Sequence, residues 1–228
     1  MKKYDNSSIS ALKGADRVRK RPAVIFGSDG VEGCEHSMFE ILSNSIDEAR
    51  EGFGSTITVT RYADMSIEVE DFGRGIPVDY NEKEKRYNWE LVFCELYAGG
   101  KYNNNDGGDY EYSLGLNGLG ACATQYSSEY MDVEILRDGF KFNLHFEHGK
   151  NVGGLGKTEF RHRHTGTKIH WKPDLKVFTS IDIPVENYHS VLKRQAVVNS
   201  GVKFIFKNEV SKGQFEETEY FYENGIVD

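Results

Sequence analysis

The segment FEILSNSIDEA, residues 39–49, carries an apolar stripe and a polar stripe. Its apolar residues recur at helical spacing and predict a core-facing helix over residues 34–52. They are Met38, Phe39, Leu42, Ile46 and Ala49. The polar residues, predicted on the opposite arc, are Glu40, Asn44, Asp47 and Glu48. A solvated helix face usually alternates charge sign at i,i+4, because like charges there repel, but this stripe has no lysine or arginine before Arg50. It is therefore either an acidic solvated surface or an acid-and-amide site.

Further helices are predicted over 12–20, 88–98, a stretch after Gly120, and 184–199, the last with Asp182 near its N-cap and Pro184 in its first turn. Period-two alternation predicts eight strands: STITVTR, MSIEVED, YMDVEIL, FKFNLHF, KTEFRHR, TKIHW, VKFIF and TEYFY. Short glycine-containing turns between several of them indicate antiparallel hairpins. We therefore expect an α+β fold, a two-layer sandwich with helices on one face of a mainly antiparallel mixed sheet.

Composition narrows the class of protein. A chain of 228 residues, 38% of them hydrophobic and none in a long apolar run, indicates a soluble globular protein without a membrane span or signal peptide. Three cysteines without C-x-x-C spacing argue against a disulfide framework and a zinc site, and favour a cytoplasmic location. The net charge of -8 argues against nucleic-acid binding by this chain alone. We interpret the basic cluster RVRKRP, residues 17–22, as a solvated helix end.

Three segments have features of phosphate-binding loops. NVGGLGKT, residues 151–158, lacks the first P-loop glycine and precedes a strand, so we interpret it as a hairpin turn. DFG, residues 71–73, occurs without the other kinase motifs. SLGLNGLGACATQ places three glycines ahead of a predicted helix. It is equally consistent with an anion-binding loop and with a flexible entry to a helix.

The strand MSIEVED brings a carboxylate to its inward face. Alternation places Asp71 on the same side as Ile67 and Val69. A buried carboxylate needs a donor, and the exocyclic amine of adenine is one. The competing interpretation is that Asp71 only caps the turn formed by Gly73 and Gly75.

These features follow one order along the chain: the acid-and-amide helix, Asp71 before G-x-G, AGGK, SLGLNGLG and HTGTKIHW. In that order they resemble the ATPase domain of the B subunit of bacterial type IIA topoisomerases, DNA gyrase and topoisomerase IV. The wider class, the GHKL ATPases with the Bergerat ATP-binding fold, includes mismatch-repair ATPases, certain chaperones and sensor histidine kinases. The resemblance extends from YDNSSIS near the N-terminus to NSGVKFIF, nearly the whole chain.

The resemblance implies that ATP and Mg2+ bind this chain. It assigns Glu40 as the general base toward the attacking water and Asn44 as the magnesium ligand. Asp71 would accept a hydrogen bond from the adenine amine, with Thr167 assisting. Asp47 would order water or backbone nearby.

The resemblance also implies the residues that surround the ligand. Glu48 would pair with Arg74, close to Gly75. Residues that would line the adenine ring or wrap the triphosphate are Ile76, Pro77, Val92, Gly99, Gly100, Lys101, Tyr110, Gly115, Leu116, Asn117, Gly118, Leu119 and Gly120.

Partners are implied in the same way. Tyr4 matches a residue on an N-terminal arm, about residues 1–20, that embraces a second copy of the chain when ATP binds, giving a homodimer. The A subunit and DNA would join the full assembly in the bacterial cytoplasm, where ATP-driven dimerisation powers strand passage, with no membrane involved. Arg74 and Arg137 match positions in the site of aminocoumarin inhibitors. We expect residues 1–228 to form one ATP-binding domain, with the transducer and metal-binding domains outside this chain.

The phosphate loop departs from the family pattern. It is SLGLNGLG where gyrase subunits commonly have SGGLHGVG, so Leu114 stiffens one position and Asn117 replaces a histidine. The choice between gyrase and topoisomerase IV, supercoiling or decatenation, stays open. We expect ATP binding with weak hydrolysis and no DNA cleavage. The alternative function is an ATP-dependent dimerisation switch of a mismatch-repair-like or chaperone-like protein.

Overall fold

The computed structural model describes residues 11–96, 119–161 and 163–227. Its helices are α1 (Asp16–Arg19), α2 (Pro22–Phe26), α3 (Val31–Arg50), α4 (Asn88–Cys94), α5 (Gly120–Tyr126) and α6 (Val185–Val198), followed by a 3-10 turn (Gly225–Val227). Its strands are β1 (Thr56–Arg61), β2 (Ile67–Asp71), β3 (Tyr80–Asn81), β4 (Arg86–Tyr87), β5 (Ser128–Arg137), β6 (Phe140–Glu147), β7 (Lys150–Asn151), β8 (Gly156–Glu159), β9 (Gly166–Pro173), β10 (Lys203–Ser211) and β11 (Gln214–Tyr220).

Within these residues, nine strands form one sheet in the order β11-β10-β1-β2-β9-β5-β6-β7, with β8 paired to β6. Strands β1 and β10 run parallel, with Thr56 opposite Lys203, and the other neighbours in this sheet are antiparallel. Strands β3 and β4 form a separate hairpin. The predicted α+β fold with a mainly antiparallel mixed sheet is confirmed.

The core lies between the helices and the inner face of the sheet. Helix α3 contacts β1, β2 and β9 and buries Met38, Leu42 and Ile46 against them. Strand β2 alternates buried and half-buried positions, as predicted, so Val69 and Asp71 face the helices. The candidate site therefore lies where α3 packs against the C-terminal end of β2, at Asp71.

Helix α3 departs from the predicted pattern in two ways. It begins at Val31, earlier than residue 34, and its first turn includes Gly33, where a Cβ would lie 2.0 Å from the Ser28 carbonyl oxygen. The polar stripe is also not uniformly exposed, since Asp47 is 3% exposed. The placement of Asp47 on a face opposite the core was wrong. Helix α3 packs against α2 and α5 as well as against the sheet, so part of its polar side is also buried.

The chain before α3 also differs from the prediction. The helix predicted over residues 12–20 is only α1, and a separate helix α2 begins at Pro22 and ends at Phe26, followed by Gly27, whose φ of 76° suits a helix stop. The solvated-end interpretation of residues 17–22 was wrong at Arg19, which is 15% exposed and hydrogen-bonds to distant parts of the fold. Its guanidinium donates hydrogen bonds to the backbone carbonyls of Tyr126 and Ser128 and pairs with Asp174.

Two smaller expectations also have outcomes. Helix α6 begins at Val185 with Pro184 as its N-cap, while Asp182 pairs with Arg61 and does not cap the helix. The segment 151–158 joins β7 to β8 through Gly153 and Gly154, both with positive φ. Its interpretation as a hairpin turn was wrong, because β7 and β8 both pair antiparallel with β6 along the same edge, so residues 152–155 interrupt one strand direction without reversing it.

Candidate active site

Glu40 lies on α3 against the first residue of α5. Its side chain is 23% exposed, and a Cβ built on Gly120 would lie 2.4 Å from Glu40 Oε2. Glycine at position 120 therefore allows the backbone of α5 to come this close without displacing the Glu40 carboxylate. The carboxylate is held at the entrance to α5, where Leu119 is the N-cap residue.

His36, which the sequence analysis did not select, holds the other oxygen of Glu40. Its Nε2 lies 3.1 Å from Glu40 Oε1, and its Nδ1 lies 3.2 Å from the carbonyl oxygen of Phe26. Both partners are acceptors, so both contacts are hydrogen bonds when both ring nitrogens carry a proton. The i,i+4 spacing of His36 and Glu40 on a predicted helix was the signal that could have identified this residue.

Asn44 follows Glu40 by one helical turn, so the two side chains project from the same side of α3. Asn44 is half-buried, whereas Asp47 is buried and has interaction partners of its own. An amide and a carboxylate one turn apart supply the hard oxygen atoms that Mg2+ prefers. Among the described residues, no group of three or more His, Cys, Asp and Glu is placed to hold a metal ion. A magnesium ion here would need ligand oxygens from elsewhere, such as phosphates.

Glu48 and Arg74 form the ion pair that the resemblance implied. Arg74 donates from Nε and Nη2 to the two Glu48 oxygens at 3.0 and 2.7 Å, and its backbone N–H donates at 2.9 Å. Its guanidinium also pairs with Glu51 and lies 4.1 Å from the centre of the Phe53 ring. The carboxylate of Glu48 raises the pKa of Arg74. This pair fixes the turn after β2 against the end of α3.

Asp71 is 8% exposed and accepts hydrogen bonds at both oxygens. Its Oδ2 accepts from the Ser45 hydroxyl at 2.6 Å, and its Oδ1 accepts from the Gly73 N–H at 2.9 Å and the Thr167 N–H at 3.3 Å. Burial raises the pKa of Asp71, and these hydrogen bonds oppose that effect. Asp71 therefore does cap the turn, but Oδ2 keeps a lone pair for a further donor.

Thr167 and Gly166 bring β9 against the end of β2. The Thr167 hydroxyl accepts a hydrogen bond from the Ile76 N–H at 3.1 Å. A Cβ on Gly166 would lie 2.2 Å from the Asp71 carbonyl oxygen, so the TGT segment needs glycine at its centre. The hydroxyl of Thr165 donates to the Gly73 carbonyl at 2.5 Å. These contacts fix Asp71 and Thr167 relative to each other.

The predicted apolar walls lie next to this carboxylate in sequence and on α4. Ile76 and Val92 are partly buried and pack against the core, while Pro77 is exposed. Gly75 has a φ of 80°, and its carbonyl accepts a hydrogen bond from Arg137 Nη1 at 2.7 Å. The turn after Asp71 is thus held from both sides, by Arg74 and by Arg137.

The remaining predicted site residues lie outside the described residues. They are Tyr4, Gly99, Gly100, Lys101, Tyr110, Gly115, Leu116, Asn117 and Gly118. Of the predicted phosphate loop, Leu119 and Gly120 are described, and they place the entrance to α5 beside Glu40. Helix α3 therefore carries Glu40 together with Ser45 and Glu48, which bind Asp71 and Arg74 at the end of β2.

A groove of about 500 Å³ lies on the opposite, outer face of the sheet. Its charged groups are paired with one another, as in His145, which bonds Asp132 at 2.6 Å, and Glu134, which pairs with Lys141 and Lys168. None of the predicted site residues lines it, and from the segment NVGGLGKT only Val152, Gly153, Gly154 and Gly156 do. We therefore assign the site to the inner face.

The chain is similar in sequence to DNA gyrase B proteins over nearly its whole length. No family model matches the chain. The DNA gyrase B protein of Thermotoga maritima is 36% identical over 231 residues, covering 100% of this chain and 35% of that protein. The DNA gyrase B protein of Streptococcus pyogenes serotype M1 is 40% identical over 233 residues, covering 99% of this chain and 34% of that protein. The chain thus spans about a third of the length of these relatives.

A solved structure shares the fold. The ATP binding domain of Francisella tularensis topoisomerase IV, in complex with a small molecule inhibitor, has a TM-score of 0.77 and 31% sequence identity. The match covers 95% of this chain and 56% of that chain. No helix in the described part of this chain combines the length and apolar character of a membrane span.

Proposed function

Because this chain belongs to the family of ATP-binding domains of DNA gyrase B and topoisomerase IV, we propose that it binds ATP with Mg2+ and hydrolyses it. The observation that carries the proposal is the arrangement of two carboxylates on the inner face. Asp71 is buried and fixed by three donors, whereas Glu40 is held at the entrance to α5 by His36. The first suits recognition of a ligand, and the second suits proton transfer.

Asp71 is proposed to select adenine. Its Oδ1 is committed to the Gly73 and Thr167 N–H groups, so Oδ2 is the oxygen with capacity for the adenine amine. Ile76, which donates its N–H to Thr167, and Val92 on α4 are partly buried, and we propose that they contact the ring faces. A base with a carbonyl in place of the amine would meet a second acceptor and be disfavoured.

The triphosphate is proposed to extend from Asp71 toward Asn44 and Glu40. Mg2+ would neutralise phosphate charge, and Asn44 is the residue of this chain proposed to hold it, with Asp47 in support. The proposed lid residues outside the described ranges, Lys101 among them, would complete the phosphate contacts. Glu40 would accept a proton from the water that attacks the γ-phosphate, oriented by its hydrogen bond with His36.

Glu40→Gln tests the hydrolysis step. An amide cannot accept the proton, so we expect turnover of saturating MgATP to fall by about 10²–10⁴-fold while nucleotide binding persists. Glu32→Gln, an exposed position on the same helix, is the matched control and should keep normal turnover. Unchanged phosphate release by Glu40→Gln would contradict the base assignment, and absence of ATP binding by the unmodified chain would contradict the whole proposal.

Asp71→Asn tests adenine recognition. The asparagine Oδ1 can keep the Gly73 and Thr167 donors, which places its amide nitrogen where Oδ2 was, facing Ser45 and the ligand. Two donors would then oppose each other, and we expect ATP affinity to fall about 10–100-fold, a loss of roughly 1–3 kcal/mol. Calorimetry measures this, with Asp64→Asn, another turn aspartate, as the control. Equal affinity would leave Asp71 as a turn residue.

The role of the whole protein is proposed from the relatives. We infer that the chain works within a longer type IIA topoisomerase B subunit, in the bacterial cytoplasm, with an A subunit and DNA. An N-terminal arm that includes Tyr4 would make ATP a signal for homodimerisation that drives strand passage. DNA added to the longer protein with its A subunit should stimulate ATP hydrolysis. A flat response would instead favour the dimerisation switch of a mismatch-repair-like or chaperone-like protein.

Sensitivity to aminocoumarin-type inhibitors is part of the proposal. Arg74 belongs to the turn after Asp71 and pairs with Glu48, and Arg137 donates to the Gly75 carbonyl of the same turn. Arg137→Gln should weaken inhibitor binding by about tenfold, the effect of losing one hydrogen bond to a charged group. The affinity for ATP should be retained. Equal inhibitor affinity in a titration would remove Arg137 from that site.

A further inference from the structure

Arg19 binds the C-terminal end of α5, the helix whose first residue contacts Glu40. Its Nη1 donates to the carbonyl oxygens of Tyr126 at 3.0 Å and Ser128 at 3.3 Å. Helices end with carbonyls that lack partners within the helix, and a cation near them also interacts favourably with the helix dipole. A glycine in the left-handed conformation commonly serves this end, but the residue after α5 is Ser127 with a φ of -89°. Arg19 supplies the missing donors from the start of the chain.

Asp174 holds Arg19 in this position. The Arg19 Nη2 lies 2.5 Å from Asp174 Oδ2, and the same oxygen lies 3.0 Å from His148 Nδ1. The side chains of Arg19 and Asp174 are 15% and 4% exposed, so the pair is shielded from water. Burial raises the pKa of Asp174, but hydrogen bonds from Arg19, the Lys176 N–H and His148 outweigh it and hold the pKa below its usual value. We call Arg19, Asp174 and His148 the Arg19 clamp.

The clamp joins elements that are far apart in sequence. Arg19 ends α1, whose four residues are too few to be stable alone, so tertiary contacts must set the position of α1. Packing supports the same attachment: Val18 is fully buried, and a Cβ on Gly149 would lie 2.5 Å from the Cβ of Ala15. Helix α1 is thus fixed to α5 and to the turn after β6.

Helix α5 can transmit this restraint over a short distance. Its seven residues span roughly 10 Å, with the clamp at one end and Gly120 against Glu40 at the other. A packed helix of this length moves as a unit, so a shift at Tyr126 would also move Gly120 relative to Glu40. The adenine side of the site, built on Asp71, has no described hydrogen bond to α5 or to the clamp.

We propose that Arg19 is a positioning residue for the phosphate side of the nucleotide site, acting through α5 on the position of Glu40. The inference rests on the proposed function, since it needs hydrolysis at Glu40. It predicts that loss of Arg19 impairs turnover and leaves recognition of the adenine ring intact. If Arg19 had only a structural role, its loss would lower the stability of the fold and would not impair turnover selectively over adenine recognition.

Arg19→Met tests the proposal, with Lys20→Met as the matched control because Lys20 is exposed and pairs only with neighbouring Asp16 in the described structure. We expect Arg19→Met to lower kcat for MgATP by about 10–100-fold, the effect of a misplacement near 1 Å. Binding of adenosine, which has no phosphate, should stay within about twofold of the unmodified chain. Equal losses in adenosine affinity and kcat, or no loss in either, would overturn the proposal.

A double-mutant cycle sharpens the result. Combining Arg19→Met with Gly120→Ala should give a loss in kcat smaller than the product of the two single losses, because both changes displace the same contact. Multiplicative effects would show that Arg19 acts elsewhere. If Arg19→Met does not fold, Arg19→Lys keeps the charge beside Asp174 but loses the planar fork of donors. We then expect a smaller fall in kcat, and wild-type kcat would overturn the proposal.

A failure of the proposed function is distinguishable from a failure of this inference. If the unmodified chain neither binds nor hydrolyses MgATP, the proposed function itself is wrong. If the unmodified chain hydrolyses ATP and Arg19→Met does so at the same rate, only the role of Arg19 is wrong.

Discussion

Gly120→Ala places a methyl group in the contact between α5 and Glu40. The new Cβ would lie 2.4 Å from Glu40 Oε2, 3.0 Å from Glu40 Cβ and 3.3 Å from Glu40 Cδ. Favourable contacts between such atoms begin at about 3.5 Å. Either the carboxylate or the entrance of α5 must therefore move by about 1 Å.

The size of the effect follows from what moves. The carboxylate is the end of a flexible side chain, so it can rotate away at little cost in folding free energy, but its hydrogen bond with His36 would be lost. A misplacement of 1 Å can lower turnover by about 10²-fold, or roughly 2.7 kcal/mol of activation free energy. Alanine is favoured over glycine in helices by up to about 1 kcal/mol, so the melting temperature should not fall. Slower turnover in an equally stable protein is the expected signature.

The assay is steady-state release of phosphate at saturating MgATP, with adenosine binding and thermal unfolding measured on the same preparations. Gly156→Ala is the matched control, because its Cβ would meet no atom closer than 3.5 Å. We expect normal turnover from that control. If Gly120→Ala turned over ATP at the normal rate, the position of the Glu40 carboxylate would not limit hydrolysis, and the reasoning from this contact would fail.

Three further predictions concern stability. Leu42→Ala should lower the free energy of unfolding by about 2–5 kcal/mol in denaturant titrations, since Leu42 is fully buried between α3 and the sheet. Gly33→Ala should cost at least 1–3 kcal/mol, because its Cβ would lie 2.0 Å from a backbone carbonyl oxygen; an equally stable variant would contradict the close approach. Hydrogen bonds to Asp132 and Glu147 raise the pKa of His145, so its contribution is complete below its unfolded-state value of about 6.5 and is lost as pH rises through the folded-state value. His145→Gln should flatten the dependence of stability on pH in that window.

Local periodicity predicted the elements that position the site. The apolar stripe of α3 identified Met38, Leu42 and Ile46 as core residues, and alternation along β2 placed Asp71 inward. Both follow from the fixed geometry of helix and strand, which depends on neighbours only a few residues away. The pairing of β1 with β10 had no such signal, because it joins segments about 147 residues apart and depends on the packing of the whole sheet.

Two of the residues that sequence analysis placed wrongly or overlooked, His36 and Arg19, differ in how they could have been found. His36 stands one turn before Glu40, so a search for i,i+4 partners on the predicted helix would have selected it. Arg19 had no local signal, because its partners Tyr126 and Asp174 are 107 and 155 residues away. A basic cluster in sequence is usually solvated, and only the tertiary fold determines which member is buried.

Helix α3 carries Glu40 and Glu48 two turns apart, and their surroundings make them suited to different chemistry. Glu48 accepts three hydrogen bonds from Arg74, including one from its backbone, so protonation of Glu48 would break contacts that fix the turn after β2. Glu40 shares one oxygen with His36 and keeps the other at the entrance to α5, without an arginine in the described structure to neutralise it. Hydrogen bonds to the charged form of a carboxylate disfavour its protonation. Of the two, Glu40 is therefore the better suited to the proposed role of general base, whereas Glu48 is held by Arg74 as a structural carboxylate.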